Sequence, residues 1–373
     1  MKIEPDALLQ RGIGRRSLLL GSAATVGAAA LLAACGSEES KGSRAGDKAG
    51  LAPVKLTLAY VVSAQFAGFL VAKEKGYYAD EGIDLTIQPG GIDINPFQLL
   101  VAGSTDIALS TYGVLLAVRD SGADIVNVGQ HIERSAERLV YFADHPELGD
   151  PKNWKGRTVS VFDGWQPTFA ATVGKAGLKL DDIKVVKQTF DMTNFVKENV
   201  DLANAMIFNE YAQAVAGADA RELALFDYAD YGTSILEHCI GVRPDWARKN
   251  PELMVGFLKA SMKGFMDARD DPQGAVATVM KLGPALPEKY QTWQMNETNK
   301  LIWPSTEGAF RVGQAPITQA QDILLEYGVI KKPASADAVD FSYRDEAAKA
   351  FDEAQLKGAD FTPMAIDPKT YFD

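Results

Sequence analysis

Aromatic, amide and carboxyl residues recur just beyond short apolar runs in the first part of this sequence. Ser63, Gln65 and Phe66 follow the run that ends at Val62, Gly91 follows "IDLTIQP", Tyr112 follows "DIALS", and Gln130 ends "IVNVGQ". Further on, "VFDGWQPT" supplies Asp163 and Trp165, "TFDMTN" supplies Asp191, and "MIFNEY" supplies Asn209 and Glu210. Rings stack on a planar ligand, while amides and an ionised carboxylate hydrogen-bond to its polar edge. An anionic ligand would call instead for Arg, Lys or bare helix N-terminal amides at several of these positions. The inventory therefore suits an uncharged or cationic aromatic ligand.

Packing offers a second use for several of these residues. Phe66 and Phe69 either line a pocket or pack on a sheet, and Trp165 is equally open. Tyr77 and Tyr78 read as core or surface. Tyr112, at a strand end, reads as pocket, and the Asn209–Glu210 pair is hard to explain as packing. The signs of catalysis are few. His131, His145 and His238 are scattered, with no metal-ligand spacing, and there is no G-x-S-x-G elbow, P-loop or dinucleotide-binding glycine fingerprint. No metal or cofactor is expected.

Alternating elements must hold these positions. "VKLTLAYV" reads as a strand, with Ser63 placed to cap the helix that follows. "IDLTIQP", "DIALS", "IVNVGQ" and "ERLVYFA" are further strands, and Asn95-Pro96 marks a helix start. A Gly- and Pro-rich stretch then leads into "TVSVF", "IKVVKQ" and "NAMIF", a second and smaller unit. After "EHCIGVRPDW" helices dominate, with starts at Asn250-Pro251 and Asp271-Pro272. Strand-helix alternation predicts mostly parallel sheets flanked by helices: an α/β fold of two lobes joined by crossing strands, with C-terminal helices covering the first.

The front end has a different character. "GRRSLLL" places Arg15-Arg16 before an Ala- and Gly-rich apolar run through Leu32, which reads as an export signal of twin-arginine or general secretory type. "LAAC", ending at Cys35, resembles a bacterial lipobox, in which the Cys is lipidated and becomes the mature N-terminus. "GSEESKGSRAGDKAG" then reads as a flexible tether. Of the two cysteines only Cys239 would remain, in an apolar strand-like run where a buried inert thiol is expected. The net charge of −11 and the lack of a basic block after Lys55 argue against nucleic-acid binding.

"AQFAGFLVAKEKGYYADEGIDLTIQPGG", "LVAGSTDIALSTYGVLLA", "WKGRTVSVF" and "NEY" together resemble the periplasmic solute-binding proteins of thiamine-pyrimidine-precursor and riboflavin transport. That group is related to the sulfonate, taurine and nitrate receptors, and the similarity runs from about Val54 to Ile330. The resemblance implies a periplasmic-binding-protein fold (type II-like), with a ligand cleft between lobes that close by hinge motion. It implies a monomer that delivers an aromatic heterocycle to an ABC permease from the extracytoplasmic face of the membrane, held there by the lipid on Cys35.

By this resemblance Gln65, Phe66, Tyr112 and Glu210 lie on the cleft, and Tyr60 is a further candidate ligand-binding residue. Where the pyrimidine binders carry a Trp at the end of the first strand, this chain has Tyr60 followed by Val61-Val62, a smaller wall. The expected division is a signal at 1–35, a tether at 36–53, a first lobe at 54–141 and 240–330, a second lobe at 142–239 and a C-terminal extension at 331–373. Two alternatives are a receptor for sulfonate, taurine or nitrate, and a pyrimidine-biosynthesis enzyme of the same fold.

Overall fold

The computed structural model describes residues 50–91, 94–162, 166–189, 191–219 and 221–372. The expected signal, the lipidation site Cys35 and nearly all of the tether lie outside the described residues. Among the described residues no helix is long and apolar enough to cross a membrane.

The alternating pattern folds into two five-stranded sheets. The first contains β1 (Ala52–Thr57), β2 (Ile83–Gln88), β3 (Ile107–Thr111), β4 (Val126–Gln130) and β10 (His238–Val242), in the order β2-β1-β3-β10-β4. The second contains β5 (Glu137–Phe142), β6 (Thr158–Val161), β7 (Lys184–Lys187), β8 (Leu202–Met206) and β9 (Leu223–Asp227), in the order β7-β6-β8-β5-β9. β1 begins inside the stretch expected to be tether.

Both sheets are mixed rather than purely parallel. β1 runs parallel to β2 and β3, and β6 runs parallel to β7 and β8. β10 is antiparallel to both β3 and β4, and β5 is antiparallel to both β8 and β9. The chain thus passes between lobes at residues 131–136 and again at 228–237. The expected first boundary at 141/142 is displaced, because β5 pairs throughout its length in the second sheet. β9 escaped notice in the sequence, where its alternation is weak.

Helices cover the first sheet as expected. Ala67–Glu74 crosses Pro251–Asp270 at close range, and the contact needs glycine: a Cβ on Gly264 would stand 2.1 Å from the Gly68 carbonyl oxygen. Phe69, Phe257, Phe265 and Phe310 fill the layer beneath, all buried. Asn95 caps its helix by accepting from the Phe97 and Gln98 N–H groups, with Pro96 in the first turn. Ser63 makes no cap; its hydroxyl instead accepts from the Gln65 side chain at 3.3 Å. The Tyr78 hydroxyl pairs with Ser261 at 2.8 Å in the interior, and Cys239 is a buried free thiol.

The segment after residue 330 is packed into the body rather than appended to it. Ala338 joins the core beside Ile317 and Leu324, and Leu356 joins the core of the first lobe. Phe372 packs on Trp293 of the Glu288–Ile302 helix and on Ala212 of the Glu210–Gly217 helix. The C-terminus therefore touches both lobes.

Candidate ligand-binding cleft

The cleft has one wall from each lobe. On the first lobe the chain leaves β1 through Tyr60, Val61 and Val62 and turns into the short Ala64–Phe66 helix. On the second, β8 is followed by Asn209 and by the start of the Glu210–Gly217 helix. Tyr60, Val62 and Ser63 share a cavity of about 170 Å³ with Asn209 and Gln213, closed on its third side by Gln291 and Gln294. Tyr60 is half-buried, and both burial and the facing Glu210 carboxyl push its phenol pKa up.

Phe66 and Gln65 stand deeper. The Phe66 ring lies nearly parallel to the His238 ring, with centroids 5.9 Å apart. Gln65 is buried, its Nε2 donating to Ser63, while its Oε1 has no partner among the described residues. Behind Phe66 the His131 ring stacks on His238 at 6.0 Å and meets Phe69 edge-on at 5.3 Å. Burial holds both imidazoles neutral: His238 is pushed down to about 4, and His131 also falls below its ordinary range.

Buried polar groups gather where the chain changes lobes. Glu237 Oε2 accepts from the Ala136 N–H at 3.1 Å, tying one crossing segment to the other. Glu137 Oε1 accepts from Asn204 Nδ2 at 2.8 Å, and the Thr168 hydroxyl and Tyr228 phenol stand beside the same carboxyl. Burial raises the pKa of Glu237 to about 7 and that of Glu137 well above the carboxylate range. The cation of this region, Arg138, pairs with Asp227 at 2.8 Å.

Several expected site residues have other tasks. Tyr112 is fully buried in a cluster with Phe97, Leu115 and Leu324, and its hydroxyl accepts from Gln321 at 2.9 Å; it belongs to the core, because its helix packs that face inward. Gln130 is also fully buried, and its Nε2 lies within hydrogen-bond distance of the Ile132, Glu237 and His238 carbonyls at 2.9 to 3.1 Å. Its amide clips the two crossing segments together instead of facing a ligand. Asp191 is exposed and accepts from the Thr193 N–H at 2.9 Å, a turn-capping role.

Gly91 is half-buried, and a Cβ there would make ordinary contact with Ile94 at 3.7 Å; its neighbour Gly90 is the constrained residue, since a Cβ there would lie 2.3 Å from the Leu58 carbonyl oxygen. Asp163 and Trp165 lie outside the described residues. Glu210 is buried at the cleft edge, but both carboxyl oxygens are engaged within its own turn: Oε2 accepts from the Met206 N–H at 3.0 Å and Oε1 from Asn209 at 2.6 Å. Burial raises its pKa to about 7.

Residues 63–275, more than half of the chain, match the family described as "NMT1/THI5 like". The chain belongs to the NMT1/THI5-like family. It is 22% identical over 242 residues to the formylaminopyrimidine-binding protein of Halalkalibacterium halodurans, covering 63% of this chain and 72% of that protein. It is 26% identical over 313 residues to the riboflavin-binding protein RibY of Chloroflexus aurantiacus, covering 74% of this chain and 86% of that one. Among solved structures, a periplasmic sulfonate-binding protein from Methylobacillus flagellatus superposes with a TM-score of 0.61 at 17% identity, over 85% of this chain and 99% of the other. At that identity the likeness establishes the shared two-lobed α/β architecture.

In this NMT1/THI5-like chain the sequence assigned no role to Glu137, Tyr228 and Glu237, and His238 stood out only as a scattered histidine without metal-ligand spacing. The signal was present: "ERLVYF" and "EHCIGV" are apolar runs that each open on an acid. A carboxylate at the mouth of a buried strand has to be paired or neutral. Here it marks each point where the chain enters the other lobe.

Proposed function

We propose that this chain is the solute-binding component of an ABC-type importer, receiving an aromatic heterocycle between its lobes and presenting it to a membrane permease. The observation that carries this reading is the cavity that Tyr60, Val62 and Ser63 of one lobe share with Asn209 and Gln213 of the other, whose lining among the described residues includes no Arg or Lys. Rings supply stacking surface, and the amides and carboxyls supply directional hydrogen bonds to ring nitrogens and amino groups. The formylaminopyrimidine- and riboflavin-binding relatives support a ligand of this class.

The protein acts outside the cytoplasm as a monomer, tethered to the membrane through lipid on Cys35. Acyl chains contribute about 0.8 kcal/mol per buried CH₂, so more than one chain gives stable anchoring. Its role is binding rather than catalysis. Cys239, the thiol within the described fold, is buried, and burial pushes its pKa up, away from the nucleophilic thiolate.

A thermal-shift screen of thiamine, its pyrimidine fragments, riboflavin and taurine tests the reading. A ligand at about a hundred times its Kd adds ~2.7 kcal/mol of stability, which raises the melting temperature by several degrees. Stabilisation by a pyrimidine or flavin is the expected result. Stabilisation by taurine alone would replace the heterocycle with a sulfonate.

A further inference from the structure

Residues 355–357 are fixed to the first lobe. The Gln355 carbonyl accepts from Arg269, and the Leu356 and Lys357 carbonyls accept from the Ala309 and Ser305 N–H groups, each at 2.8 Å. The chain then runs over the Glu288–Ile302 helix, where the Asn296 amide brackets Met364: Oδ1 accepts from its N–H at 2.8 Å and Nδ2 donates to its carbonyl at 3.3 Å. That helix is itself tied to the first lobe, since Gln291 and Gln294 accept from the Ala64 and Gln65 N–H groups at 2.8 and 3.4 Å. Beyond Met364 the contacts change lobes. Asp367 caps the short helix Pro368–Tyr371, and Lys369 Nζ pairs at 2.8 Å with Glu222, the residue before β9. Phe372 is only 8% exposed: it packs on Ala212 of the second lobe, with its ring centroid 4.9 Å from Tyr290 and 5.8 Å from Trp293.

We propose that residues 361–372 form a strap that holds the second lobe against the first in the ligand-free protein and slows the release of any solute between them. The two crossing segments join the lobes through continuous chain; the strap is a further link, covalent on the first-lobe side and held on the second by packing. Parting the lobes at this end carries Ala212 and Glu222 away from residues fixed to the first lobe, so the Phe372 ring must give up one of its two faces to water. The Lys369–Glu222 pair adds little to this hold, because both side chains are more than half exposed. The buried ring carries it, and its burial favours the closed arrangement by roughly tenfold or more. The strap acts on the motion of the lobes and is indifferent to the class of ligand, so it stands or falls apart from the heterocycle reading.

The test is the interlobe distance distribution of the ligand-free protein, read by pulsed electron resonance between two spin labels. Gln98→Cys beyond β2 and Lys197→Cys beyond β7 are exposed positions on the two lobes, and Cys239 is buried. With Cys35→Ser in the full chain, only the two introduced thiols take label. The chain with an intact strap should give a single short distance. Truncation after Asp360, or Phe372→Ala, should raise a longer-distance population by about tenfold. Phe372→Leu, which keeps most of the buried surface, should stay near the intact distribution. Each variant is first shown by thermal melting to be folded. An unchanged distribution in the folded truncated protein overturns the strap. Should truncation prevent folding, an unchanged distribution in Phe372→Ala overturns it, and equal opening in Phe372→Ala and Phe372→Leu overturns the assignment of the hold to the buried ring.

Discussion

The Trp293 indole donates to the backbone carbonyl of Ile207 at 2.9 Å, so a C-terminal helix packed on the first lobe holds the segment that follows β8 in the second. Phe372 closes over the same indole, with ring centroids 5.8 Å apart, and Tyr211 approaches it from the second lobe at 6.0 Å. Ile207 also donates its N–H to the Ala136 carbonyl at 2.8 Å, so the indole and a crossing segment hold the same residue.

Trp293→Phe keeps an aromatic ring in the cluster but removes the donor. The protein should lose about 1 kcal/mol in urea denaturation, and bound ligand should dissociate faster because the interlobe bond is gone. Unchanged stability and off-rate would show that the bond does not hold the lobes together.

Gln130→Leu removes the amide that serves the Ile132, Glu237 and His238 carbonyls. The Glu237 and His238 carbonyls keep longer bonds from the Tyr112 and Ile132 N–H groups, at 3.3 and 3.4 Å, so losing the buried amide should cost ~1–3 kcal/mol, read as a lowered denaturation midpoint. A variant of normal stability that has lost ligand affinity would return Gln130 to the ligand-facing role expected from its strand-end position.

Glu237 gives a pH signature. Its carboxyl is raised from 4.5 to about 7 by burial. A raised pKa stabilises the fold fully below the unfolded value, and that stability is lost as pH rises through the folded value. The stability of Glu237→Gln relative to wild type should therefore increase between pH 4.5 and 7, by on the order of 3 kcal/mol at most. His238, lowered from 6.5 to about 4, acts in the opposite sense, losing its contribution as pH falls, but it is common to both proteins. A difference that stays flat with pH would contradict a buried, proton-holding Glu237.

Much of the architecture was legible because it rests on local pattern. β-branched runs, the Asn95-Pro96 start and the Gly-rich turns each specify a strand or a helix end within a few residues. Phe66, with its choice between core and pocket left open, packs in the core of the first lobe with its ring against His238. The tie between the crossing segments was not legible, since Ala136 and Glu237 meet across 101 positions of sequence and only the crossing of the chain brings them together. Tyr112 and Gln130 misled for a related reason. Position after a strand locates the sheet edge, but it does not say whether β10 and its neighbours will cover that edge, and here they do.

The anchor has a direct test in cells. Cys35→Ser should move the exported protein from the membrane to the soluble fraction, and persistent membrane association would argue against lipidation at that residue.

The central claim, that the two lobes close on an aromatic heterocycle, is tested most directly by calorimetric titration of the wild-type protein, stripped of any co-purified ligand by unfolding and refolding. The account predicts saturable one-to-one binding of an aminopyrimidine with a negative heat-capacity change from buried ring surface, and no heat from taurine. Saturable binding of taurine, with none for any pyrimidine or flavin, would contradict it.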